Sequence, residues 1–92
     1  MQKITLMVVN EVGLHARPAA EFVKTASTFK ASLQVRNVTR NTPPVDAKSI
    51  ISLLTLGVEK GHEIELAAEG EDEKTAIETL RDLVDSDFAG KF

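Results

Sequence analysis

The chain has 92 residues, 42% hydrophobic and 27% charged, a globular balance at the length of one domain, residues 1–92. With no cysteine it forms no disulfide, thiolate metal site or cysteine nucleophile, and with neither a basic-then-apolar leader nor a long apolar run it reads as cytoplasmic, without membrane insertion. The net charge of −3 divides into +4 over residues 1–48, no charged residue over 49–58 and −7 over 59–92; the absence of Trp and Tyr and of any dense basic run argues against nucleic acid as a partner.

Residues 2–9, QKITLMVV, alternate as a strand, with Ile4, Leu6 and Val8 on one face. Asn10 and Gly13 break the pattern. From Ala16 to Thr28 the period is helical. Pro18 suits the first turn, and Phe22, Val23, Ala26 and Phe29 make the buried stripe. ASLQVRNV is a second strand, with Leu33 and Val35 inward and Gln34 and Arg36 outward. TRNTPP is turn material, and a short return strand is expected over Val45–Ala47. Ser49 as N-cap and Gly57 as stop bracket a short helix holding Ile50, Ile51, Leu53 and Leu54, although a buried strand has much the same composition. HEIELAA alternates again, with Ile64, Leu66 and Ala68 on one face. The stretch from Glu69 to Phe88 reads as a helix capped by Asp72, with Ala76, Ile77, Leu80, Leu83 and Val84 as its core stripe. Strands with one apolar and one polar face predict an α+β fold of order βαββαβα, a mainly antiparallel sheet with helices on one side.

The chemistry concentrates at NEVGLHARPAAEFV, residues 10–23. His15 stands at the start of the first helix, where backbone N–H groups lack helical partners and the helix dipole suits an anion such as phosphate. Neutral imidazole is a nucleophile, and the Arg17 guanidinium is a fork for phosphate oxygens. Gly13 lets the backbone turn sharply before the site. From spacing alone, a histidine beside an arginine at a helix start is more often a surface residue or a modest cap. The basic first half suits a phosphorylated ligand or an acidic protein partner, and an acidic solvated face elsewhere gives the same asymmetry. No metal site is visible. Glu11 is near His15 in sequence, but nothing in the sequence places it on the ring, and His62 reads as a solvated turn residue.

GLHARPA, Gly13 to Ala19, resembles the site motif of HPr, the histidine-containing phosphocarrier family of the bacterial sugar phosphotransferase system. KSIISLLTLGVEKG and IELAAEGEDEKTAIETL resemble the family's later signatures, so the likeness spans nearly the whole chain. It implies an open-faced β-sandwich of four antiparallel strands covered by three helices. It implies that His15 accepts a phosphoryl group on Nδ1 from phosphorylated enzyme I and passes it to enzyme IIA domains. Arg17 and the N–H groups of Ala16 and Arg17 would steady the phosphate. Such a chain is a stoichiometric carrier rather than an enzyme, needs no cofactor, and works best as a monomer because its docking face must stay free. That face is expected on the uncharged span Ser49 to Val58, with Ile50, Ile51 and Leu54, together with Ala20 and Lys24.

Ser49 matches the regulatory serine of some family members, which implies HPr kinase/phosphorylase and a catabolite-control transcription factor as further partners. An HPr-like regulatory protein, or a carrier in a nitrogen-related or dihydroxyacetone-kinase branch, is the alternative within the resemblance. Three stretches depart from the family pattern. The Thr39–Pro44 connection is longer and carries two prolines, and should form an enlarged loop away from His15. IISLL replaces the methionines and glycine usual after the regulatory serine. Val12 and Thr55 stand where small or polar residues are common.

Overall fold

The computed structural model describes residues 1–86. The elements follow the expected order: β1 (Gln2–Met7), α1 (Ala16–Ala26), β2 (Ser32–Asn37), β3 (Val45–Asp46), α2 (Ile50–Leu54), β4 (Glu63–Glu69) and α3 (Glu73–Asp85). The four strands form one antiparallel sheet in the order β1-β4-β2-β3. In register, Leu6 faces Ile64, Ile4 faces Leu66, and Val35 faces Leu66 from the other side. Alternation therefore sends Leu6, Leu33, Val35, Ile64, Leu66 and Ala68 into the core. The opposite face is polar, and on it Arg36 and Glu65, directly paired across β2 and β4, form an ion pair at 3.2 Å.

All three helices lie over the apolar face. Phe22 and Ala26 of α1, Leu53 of α2, and Ala76, Ile77, Leu80 and Val84 of α3 are buried against it, with Val23, Phe29 and Leu83 partly buried beside them. Leu14, Leu56 and Val58, from the connections, complete the core.

The structure corrects several expectations. α1 ends at Ala26 rather than Thr28. The Ser27 amide still reaches the Val23 carbonyl, but Thr28 and Phe29 turn back to the carbonyls three residues earlier, and the Thr28 hydroxyl takes the Thr25 carbonyl as well. Asp72 occupies the N-cap position of α3 without capping it. Its carboxylate instead accepts from the amides of Lys30 and Ala31, both at 2.8 Å, just before β2. These contacts, the Lys30 amide first, hold the Asp72 carboxyl below the usual aspartate range. The short apolar cluster after Ser49 is a helix, and Ser49 caps it, its hydroxyl oxygen accepting from the Ser52 amide at 3.3 Å. The part of the last helix expected over residues 87–88 lies outside the described residues.

His62 is not a solvated turn residue. It is half-buried, and its Nδ1 lies 3.1 Å from Asn37 Nδ2 and accepts the Glu59 amide at 3.1 Å. Two donors converging on Nδ1 assign the proton to Nε2. Asn37 is fully buried in β2. Its amide group also donates to the Leu56 carbonyl, and its side-chain oxygen accepts from the Arg40 amide. The Thr39–Pro44 connection is tied down from the same place: Thr42 bonds Asn37 twice, and the Thr39 hydroxyl accepts from the Glu63 amide at 2.8 Å.

Candidate functional site

The turn before α1 is built around Asn10, whose side chain is almost fully buried. Its Nδ2 donates to the Gly13 carbonyl at 2.8 Å, and the Gly13 amide returns a bond to the Asn10 carbonyl at 3.2 Å. Gly13 has φ +66°, and a Cβ there would run into the Val58 carbonyl and the Glu59 backbone. That close approach is fixed one residue later, where the Leu14 amide donates to the Val58 carbonyl at 3.0 Å. Leu14 is fully buried and anchors the turn in the core. The next side chain, His15, is thereby delivered to the N-cap of α1.

His15 has extended backbone angles, φ −125° and ψ 161°, and its side chain caps nothing. The ring is half-exposed, 37%. Its Nε2, however, is closed to solvent and makes no hydrogen bond; the Glu59 carboxylate stands 3.4 Å away, close enough for an ion pair but too far for a good hydrogen bond. The solvent-facing part of the ring thus excludes Nε2. Pro18 is buried in the first turn and has no N–H, so the amides of Ala16 and Arg17, next after the N-cap His15, are the donors there that lack helical partners. Arg17 itself is exposed. Glu11, the carboxylate nearest in sequence, pairs instead with Lys60 at 2.7 Å, which holds its carboxyl below the usual range. Glu59, which sequence reasoning passed over, is the carboxylate at the ring. Only the contact between the 13–14 and 58–59 backbones brings it there.

Beside the histidine, Ala20 and Lys24 are exposed on α1, three and seven positions after Arg17 and so on one helix face. α2 packs on α1. It turns Leu53 inward and leaves Ile50, Ile51 and Leu54 at 39%, 75% and 41% exposure. The uncharged span is therefore only partly surface: Leu53, Leu56 and Val58 belong to the core. Val12, 46% exposed, adds an apolar side chain to the turn before His15. Ser49 is half-buried at the start of α2. Among the described residues no cluster of His, Asp or Glu could hold a metal ion, and no helix is long and apolar enough to cross a membrane.

Comparison with known proteins gives the family of the chain. Residues 2–86 match the family described as PTS HPr component phosphorylation site. Over 88 residues the chain is 41% identical to the phosphocarrier protein HPr of Neisseria meningitidis, covering 96% of each chain. It is 45% identical over 76 residues to the multiphosphoryl transfer protein of Haemophilus influenzae; the match takes in 83% of this chain but only 15% of that longer protein. The HPr of Thermoanaerobacter tengcongensis superimposes with a TM-score of 0.93 in its HPr-C-His structure, at 43% identity and full coverage of both chains. In the structure of its dimer the TM-score is 0.74, at 45% identity and 96% and 98% coverage. With a family match over residues 2–86, 41% identity to a full-length HPr and a TM-score of 0.93 to another, the chain belongs to the HPr phosphocarrier family of the phosphotransferase system.

Proposed function

We propose that the chain is a cytoplasmic phosphocarrier whose His15 takes a phosphoryl group on Nδ1 from phosphorylated enzyme I and hands it to enzyme IIA domains of sugar permeases. The observation that carries the reading is the half-exposed His15 ring with Nε2 closed off, at the N-cap of α1, where the amides of Ala16 and Arg17 lack helical partners. Nδ1 is then the ring nitrogen available to a phosphorus atom, and the helix end and the Arg17 guanidinium receive the phosphate oxygens. The protein ends each cycle unchanged, so it is a covalent intermediate rather than a catalyst. Ile50, Ile51 and Leu54, with Ala20 and Lys24, form the docking face that both partners use in turn, and the chain acts as a monomer to keep that face free.

Ser49 supports a regulatory role beside transfer. Its hydroxyl already sits among the amides at the start of α2, next to the exposed Ile50 and Ile51. Phosphorylation by HPr kinase/phosphorylase would add about −1.5 to −2 charge there, repelling acidic partners of the docking face and offering a mark to a catabolite-control transcription factor.

Phosphorus NMR after incubation with phosphoenolpyruvate and enzyme I tests the transfer reading at the atom. The wild type should give the Nδ1-phosphohistidine signal and His15→Ala none. An Nε2 signal, or a signal surviving in the variant, contradicts it. Arg17→Ala removes charge-assisted bonds worth about 1.5–3 kcal/mol and should slow loading roughly ten- to a hundredfold in stopped-flow measurements.

A further inference from the structure

Transfer through Nδ1 leaves the other nitrogen of His15 unused, and that atom has a particular setting. Nε2 is shut from solvent yet has no hydrogen-bond partner, a situation that costs free energy until a partner is found. The Glu59 carboxylate stands 3.4 Å away on a side chain that is 63% exposed. Catalytic hydrogen bonds that are long in a resting protein commonly tighten in the reacting complex. The Glu59 backbone, by contrast, is held from both sides. The bare Gly13 admits the 58–59 peptide and Leu14 bonds Val58, while the Glu59 amide donates to His62 Nδ1, itself 3.1 Å from the buried Asn37 amide group.

We propose that Glu59 is a positioning residue for phosphoryl transfer: its carboxylate accepts a hydrogen bond from His15 Nε2–H, which keeps the ring in the tautomer whose Nδ1 lone pair is open. The inference rests on the carrier reading above. In loading, the Nδ1–P bond forms as the bond from phosphorus to the donor's leaving atom breaks, and that electron pair departs with the leaving atom. The proton stays on Nε2, so the loaded ring is cationic and faces a carboxylate. In unloading, the Nδ1–P bond breaks with its pair returning to Nδ1, and the ring leaves as neutral imidazole because Nε2 has kept its proton. One carboxylate at Nε2 thus serves both directions.

The test uses the full chain with Glu59→Ala and with Glu59→Gln, which keeps an acceptor oxygen. Nitrogen-15 NMR of the His15 ring in the free protein reads the tautomer ratio. The alanine variant should lose Nε2–H tautomer by about two- to fivefold, the size of a solvent-exposed carboxylate contact. At saturating phosphorylated enzyme I its loading rate should fall by a similar factor with KM unchanged, and the glutamine variant should recover most of both losses. An unchanged tautomer ratio, or a loading effect confined to KM, overturns the proposal. If the wild type takes no phosphate at all, the carrier reading fails, while the ring measurement still decides separately whether Glu59 governs the tautomer.

Discussion

Gly13 shows how much of the site depends on a missing atom. Its φ of +66° and the Val58 carbonyl behind it leave no room for a side chain. Gly13→Ala should cost about 1–3 kcal/mol through left-handed strain alone, and relief of the clash pushes the 58–59 peptide away from His15. Thermal unfolding should show the loss of stability, and loading by enzyme I should slow at the same time; a variant with unchanged midpoint and rate contradicts this account of the turn. The placement of Gly13 in a tight turn and of His15 and Arg17 at a helix start is legible in the sequence because it follows from adjacent residues. Glu59 and His62 are not. Each acquires its partner only when the 57–62 connection folds onto the turn at residues 10–14 and onto Asn37, and no periodicity encodes that meeting.

α2 divides its apolar residues between two tasks. Leu53 is fully buried and Ile51 is 75% exposed, two positions apart on one short helix. Leu53→Ala should destabilise the fold by about 2–5 kcal/mol as a core cavity opens. Ile51→Asp should change stability by no more than about 0.5 kcal/mol yet raise KM for phosphorylated enzyme I, since it puts a charge on the proposed docking face. Denaturant unfolding of both variants beside loading kinetics separates the two tasks, and an unaltered KM for Ile51→Asp would remove Ile51 from the face. The sequence shows that this cluster is apolar and capped by Ser49, but its length allows strand or helix, and which leucine faces inward depends on where α1 and the sheet lie. The C-terminal end of α1 and the role of Asp72 depart from the sequence expectation for a related reason. Thr28 exchanges a helical bond for a turn, and Asp72 spends its carboxylate on a neighbouring segment rather than on its own helix.

Across the whole molecule, Asp72 joins the entry to β2 with the start of α3, elements far apart in the chain. Its carboxyl is held below the ordinary value of about 3.9 in the folded state, first by the Lys30 amide. A depressed folded value means that the ionised form stabilises the fold above the unfolded value. That contribution disappears as pH falls below about 4 and through the folded value. Asp72→Asn should therefore melt earlier than wild type at pH 7, with the two midpoints converging in acid; parallel melting curves at every pH contradict the linkage. The element order and the inward faces of the strands are legible from alternation alone. The strand order β1-β4-β2-β3 is not, because it places β4 between two strands that precede it and depends on pairings such as Leu66 with both Ile4 and Val35.

The central claim is that His15 carries a phosphoryl group between two proteins, and intact-mass measurement tests it most directly. After incubation with phosphoenolpyruvate and enzyme I, the wild type should gain one acid-labile phosphate, which disappears when an enzyme IIA domain is added, and His15→Ala should gain none. Failure of the wild type to gain that phosphate, with an enzyme I active on another carrier, would contradict the account, as would a phosphate that stays in place when the enzyme IIA domain arrives.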